Sequence, residues 1–172
     1  MMRFKRYLLV VVVAACGCKS VPPIQPSTAE TRPTLLAALD GNWLMVGDVL
    51  GKPVKYRLTV EPILARTFTQ LHMMDVQQPP QYEARLFVGY DEGSCQVIAH
   101  WLDVFGAKGS VPHGTGHITD HTIEFTIPYP DGPFRDTLAY DPATGRWRFT
   151  IEASEGSGKW KHFAAYEIER IK

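Results

Sequence analysis

What is scarce in this 172-residue chain narrows it first. Cysteine occurs three times, twice near the N-terminus as Cys16 and Cys18, which excludes a disulfide-stapled miniprotein and a zinc module held by thiolates. Charge of one sign is missing too. The 18 basic and 18 acidic side chains balance, with no Lys/Arg-rich stretch, which argues against nucleic acid as the partner. No apolar run reaches the ~20 residues that a bilayer-spanning helix needs. G-x-S-x-G, the phosphate-binding loop and the dinucleotide fingerprint are all absent. The short glycine-rich pieces fall in turns, where Gly supplies positive φ. What is present is 45% hydrophobic and 11% aromatic residues, enough for one folded domain with its own core and too apolar for a disordered chain.

The first residues read as an address. Arg3, Lys5 and Arg6 form a basic start, and Tyr7 to Ala15 form an apolar stretch of nine residues, the pattern of a secretory signal peptide over 1–15. Val13-Ala14-Ala15-Cys16 resembles the bacterial lipobox, which implies acylation of Cys16 as the first residue of the mature chain. Cys18 is a second candidate, and simple cleavage after Ala15 is the alternative. Without residues 1–15 the chain carries a net charge of −3, so anionic lipid would not attract it. Attachment would rest on the acyl chains, of which stable anchoring needs at least two. Residues 16–33 hold four prolines and read as an extended tether of ~3 Å per residue. The expected location is the cell envelope, and Gly17 after the cysteine favours the outer membrane, facing the periplasm.

The remainder, 34–172, is one domain. Leu35, Leu36 and Leu39 before Asp40-Gly41 predict one short helix. Beyond it, turn signals recur every 10–12 residues at Asp91–Ser94, Gly106–Gly109, Asp131-Gly132, Asp141–Gly145 and Glu155–Gly158. Alternating aromatic and β-branched segments lie between them. They predict an all-β antiparallel meander, forming a barrel or a sandwich, of nine or ten strands near 42–50, 54–62, 65–76, 81–90, 95–105, 113–119, 121–129, 134–140, 146–153 and 159–170.

Hairpin register then tells which side chains share a face. A two-residue turn at Asp131-Gly132 sets Tyr129 opposite Phe134, Ile127 opposite Asp136 and Phe125 opposite Leu138. Carried through the next two turns, the same face holds Tyr140, Trp147, Phe149, Ile151, Trp160, His162 and Tyr166. Around Glu92-Gly93, Tyr82, Ala84, Leu86, Val88 and Tyr90 share a face with Cys95, Val97, Ala99, Trp101 and Asp103. This inner face is apolar and aromatic except at Asp103, Asp136 and His162. An unpaired buried carboxylate is costly, so each of these must pair, meet water or line a cavity.

Gly41-Asn42-Trp43 follows the helix and opens the first strand, as the G-x-W motif does in lipocalins and their calycin relatives. Arg170 stands where those proteins place an Arg over that Trp, a cation–π pair. Tyr82–Asp91, His100–Gly106, Ile127–Asp136 and Tyr140–Trp147 look like segments of a bacterial family of secreted, lipocalin-like domains of unknown function. The resemblance covers about residues 82–170. It implies a lipocalin-like β-barrel of about ten strands and brings no established reaction.

These readings place a small apolar or amphiphilic ligand in the barrel, contacted by Tyr82, Trp101, Asp103, Asp136, Trp147 and His162. No catalytic residue is assigned and no cofactor is required. His113, His117 and His121 are spaced by four, but Gly114, Gly116 and the turn at Thr119-Asp120 break the strand that would align them for a metal. Cys95 reads as a small buried hydrophobe. Two alternatives stand: an interaction lipoprotein whose barrel is filled, and a nitrobindin-like haem protein with His162 as iron ligand.

Overall fold

The computed structural model describes residues 32–110 and 112–171. The expected signal peptide 1–15, the lipidation site Cys16, and the tether apart from residues 32 and 33 lie outside the described residues. After a short helix, α1 (Thr34–Ala38), come ten strands. They are β1 (Gly41–Val49), β2 (Lys52–Ile63), β3 (Phe68–Asp75), β4 (Glu83–Asp91), β5 (Gln96–Asp103), β6 (Gly114–Ile118), β7 (Thr122–Ile127), β8 (Phe134–Asp141), β9 (Arg146–Gly156) and β10 (Lys159–Arg170). Each strand pairs antiparallel with its neighbour in sequence, and β1 closes on β10 to complete a barrel. This is the all-β antiparallel architecture that the turn spacing predicts, closed into the ten-stranded, lipocalin-like barrel that the resemblance implies. Closure removes every sheet edge.

Period-2 alternation sorts the side chains. The interior holds Met45, Leu58, Leu71, Leu86, Val97, Phe125, Leu138, Phe149 and Ile168, each at most 2% exposed. β2 runs through both of its prolines because Pro53 and Pro62 pair near its two ends, where a missing N–H is tolerated. The stretch expected to begin a strand at 65 starts with a 3-10 turn, Leu64–Arg66, with Ala65 at φ 56°. A Cβ at Gly47 would overlap the Ala165 carbonyl oxygen across the β1–β10 seam, and one at Gly116 would overlap that of Glu124. Those two glycines permit close strand approach.

One end of the barrel is sealed from the sequence outward. Leu35, Leu36 and Leu39 of the α1 region are buried, and the Trp43 indole Nε1 donates to the Leu39 carbonyl at 2.6 Å. The Arg170 guanidinium lies 4.1 Å from the Trp43 ring centre and donates to the Asp40 carbonyl. Arg32 clamps the same corner. It donates to both Asp40 carboxylate oxygens at 2.7 and 2.6 Å, to the Leu36 carbonyl and to Thr69 Oγ1.

Three register expectations are corrected. Ile127, rather than Tyr129, pairs with Phe134, and Phe125 with Asp136, because the connection is a six-residue loop folded on Tyr129 N–H to Ile127 and Gly132 N–H to Tyr129. The shift is two residues, so the faces are unchanged. In β10 a bulge falls between His162 and Ala164; the inserted residue, Phe163, reverses the alternation preceding it. His162 therefore pairs with Glu152 and Phe149 with Tyr166. Trp160 lies outside under the Arg135 guanidinium, 4.6 Å from its ring centre. Cys95 is exposed in the β4–β5 turn at φ 56°, one residue before the strand that would have buried it.

Candidate functional site

The end opposite α1 has no such seal among the described residues. Its rim is made by the turns and loops after β1, β3, β5, β7 and β9. Tyr82, Trp101, Asp103, Tyr129 and Phe134 point inward there yet keep partial exposure. Beneath them the rings form a continuous series. Phe105 meets Tyr82 at 6.1 Å between ring centres, and Tyr82 meets Tyr56 at 5.6 Å. Tyr56 meets Tyr166 at 5.8 Å, and Tyr166 meets Phe149 at 5.9 Å. Trp101, on β5, reaches Phe149, on β9, at 6.4 Å, so the lumen is bridged by side chains at that level. Leu50, Val104 and Phe105 are exposed apolar residues on the rim.

Three inward carboxyl groups share this region and differ in how they are satisfied. Asp75 accepts the backbone N–H groups of Gln77 and Gln81 and shapes the loop after β3. Asp103 accepts from Trp101 Nε1 at 3.2 Å and from the Phe105 N–H at 3.0 Å, so it both orients the indole and caps the turn. Asp136 is different. It is 2% exposed, flanked by Phe125 and Ile151, and its Oδ1 is fully buried with no hydrogen-bond partner among the described residues.

Burial raises the Asp136 carboxyl well above the ordinary aspartate range, because a low-dielectric site penalises the charged form. The phenols respond to the same surroundings. Burial first, then the nearby Asp136 and Asp103 charges, push Tyr129 up to about 12. Tyr82 is raised by burial and then by Asp103. Burial, Tyr56 and Asp136 raise Tyr166. These rings are neutral hydroxyl donors at physiological pH.

Of the residues singled out from sequence, the structure gathers Tyr82, Trp101, Asp103 and Asp136 in the half of the barrel opposite α1. Trp147 is inward but lies towards the closed end, stacked on Tyr140 at 4.8 Å, with its Nε1 unpartnered among the described residues. His162 is the correction. Its Nε2 sits 2.7 Å from Asp48 Oδ2 on the outer wall, and half of its side chain is exposed. It cannot ligate a haem held inside, and no described histidine faces the interior. His113 stacks on His100 at 5.6 Å outside the barrel, and His117 and His121 are exposed.

Sequence reasoning missed Tyr56 and Asp75, which lie in the segments interrupted by proline and by the 3-10 turn, where no clear hairpin turn fixed the register. A further recess of about 300 Å³, lined by Tyr140, Asp141, Arg146, Arg148 and Glu167, opens on the outer wall at the closed end. It is flanked by the Arg146–Glu169 and Arg148–Glu167 ion pairs. No family model and no curated protein matches this chain.

Proposed function

We propose that this protein is a lipocalin-like lipoprotein of the cell envelope, acylated at Cys16, whose barrel takes up a small amphiphilic molecule through the end opposite α1. The observation that carries the reading is Asp136, a carboxyl on the inner face that is 2% exposed and has an oxygen with no partner among the described residues. Buried polar groups are nearly always hydrogen-bonded, and leaving one unpaired costs about 1–3 kcal/mol. A buried site that carries this cost is suited to recover it from a ligand. The aromatic wall supplies apolar contact, and Asp103 and Tyr82 supply polar contacts nearer the rim.

A second reading has its own observation. The Trp101–Phe149 contact across the lumen suits a filled barrel that works through its exposed rim residues Val104 and Phe105. Native mass spectrometry of the protein purified from its own envelope distinguishes the two. An excess mass that leaves on denaturation, and is lost with Asp136→Asn, supports the ligand barrel. An unmodified mass, with no tryptophan fluorescence change on adding amphiphiles, supports the filled barrel.

A further inference from the structure

The titratable side chains inside the barrel are acids and phenols, with no base among the described residues. The inward carboxyl groups of Asp75, Asp103 and Asp136 face no Lys, Arg or His in the lumen among the described residues. Lys52, Lys55, Arg57, Arg66, Arg85, Lys108, Arg146, Arg148 and Lys159 are exposed, and the remaining described cations lie elsewhere. Arg32 and Arg170 close the α1 end. Arg135 lies on the outer wall over Trp160, paired with Glu152. Lys161 is 69% exposed at the rim, 4.0 Å from Glu155. A ligand with a carboxylate or phosphate group would therefore enter a low-dielectric interior that offers it no counter-charge, which is unfavourable.

The rings carry the argument from exclusion to selection. Tyr56, Tyr82 and Tyr166 form one contiguous cluster, and Trp101 joins it through Phe149. Aromatic faces carry negative quadrupole charge and attract an ammonium within about 6 Å. Tyr129 and Tyr166 are the phenols within electrostatic reach of Asp136, so a cation held among these rings has a carboxyl to pair with. A charge-assisted N–H···O contact is about twice as strong as a neutral one.

We infer that the polar end of the ligand is an organic ammonium, a protonated amine carried on an apolar or aromatic body, seated against Asp136 within the tyrosine–tryptophan wall. This rests on the ligand-barrel reading above and narrows it. Because Asp136 is 2% exposed, the amine displaces the side chains that cover it, and Asp136 gives up its proton to the solvent as the ammonium pairs with it.

The test uses three probes of one skeleton: 4-phenylbutylamine, 4-phenylbutanol and 4-phenylbutyrate. Each is titrated by calorimetry into the full chain carrying Cys16→Ser and Cys18→Ser. The amine is expected to bind roughly tenfold or more tighter than the alcohol, with the carboxylate weakest. Asp136→Asn is expected to abolish that preference, and Glu155→Gln, which removes a rim carboxylate, to preserve it. Tyr56→Leu keeps Asp136 and tests the rings separately, with an expected loss of about tenfold for the amine and little for the alcohol. Equal binding of all three probes, or tightest binding of the carboxylate, overturns the ammonium assignment and leaves the ligand barrel standing. No binding of any probe overturns both.

Discussion

Asp136 ties stability to pH in a defined direction. Unfolded, its carboxyl ionises near 3.8; folded, burial holds it protonated to a much higher pH. The folded-state value is the raised one, so its contribution is fully present below the ordinary aspartate range and is lost as pH rises through the folded value. Asp136→Leu removes both this dependence and the unpaired oxygen. In urea titrations the variant is expected to exceed the native protein by about 1–3 kcal/mol at pH 4, with the gap widening towards pH 8. A native protein as stable at pH 8 as at pH 4 relative to this variant would mean that Asp136 has an interior partner. His162 is the contrasting residue. Its pairing with Asp48 is on the outer wall, where burial is slight, so His162→Ala is expected to shift the urea midpoint no more than Lys55→Ala and to leave probe binding unchanged.

Between strands, the parts that turn chemistry specifies were legible and the insertions were not. Asp141–Gly145 and Asp91–Ser94 are turns whose aspartates accept backbone N–H groups, so β4–β5 and β8–β9 pair in the register that alternation predicts. The loop after β7 is longer than Asp131-Gly132 suggests, and its two-residue slip happens to preserve the faces. The bulge at Phe163 does not. Nothing in Trp160-Lys161-His162-Phe163-Ala164 marks it, since no glycine is used, and it moves His162 from the inner to the outer wall. Asp136 was legible because it sits in an uninterrupted alternating run between two hairpins, whereas Tyr56 was not. A seam glycine and a turn glycine separate two kinds of backbone requirement. Gly47→Ala, which would collide with the Ala165 carbonyl, is expected to cost about 3 kcal/mol or more. Gly51→Ala, at φ 77° with open space around it, should cost about 1 kcal/mol; thermal unfolding of both variants checks the difference.

At the scale of the whole molecule the two ends of the barrel are built differently. The α1 end is sealed by leucines and by the Arg32–Asp40 and Arg170–Trp43 contacts, and Leu36→Ala, at a position 1% exposed, is expected to destabilise by about 2–5 kcal/mol in urea unfolding. The opposite end keeps aromatic and acidic side chains partly accessible. Because β1 begins and β10 ends beside α1, with the Ile171 N–H bonded to the Asn42 carbonyl, the chain enters and leaves the barrel at its sealed end. Were the protein moored through Cys16, the mooring line would be fixed to the base, and the aromatic opening would look out into the surrounding compartment, away from the bilayer. Cargo would then arrive and depart through water, by collision, rather than by lateral transfer out of the lipid to which the protein itself is fastened.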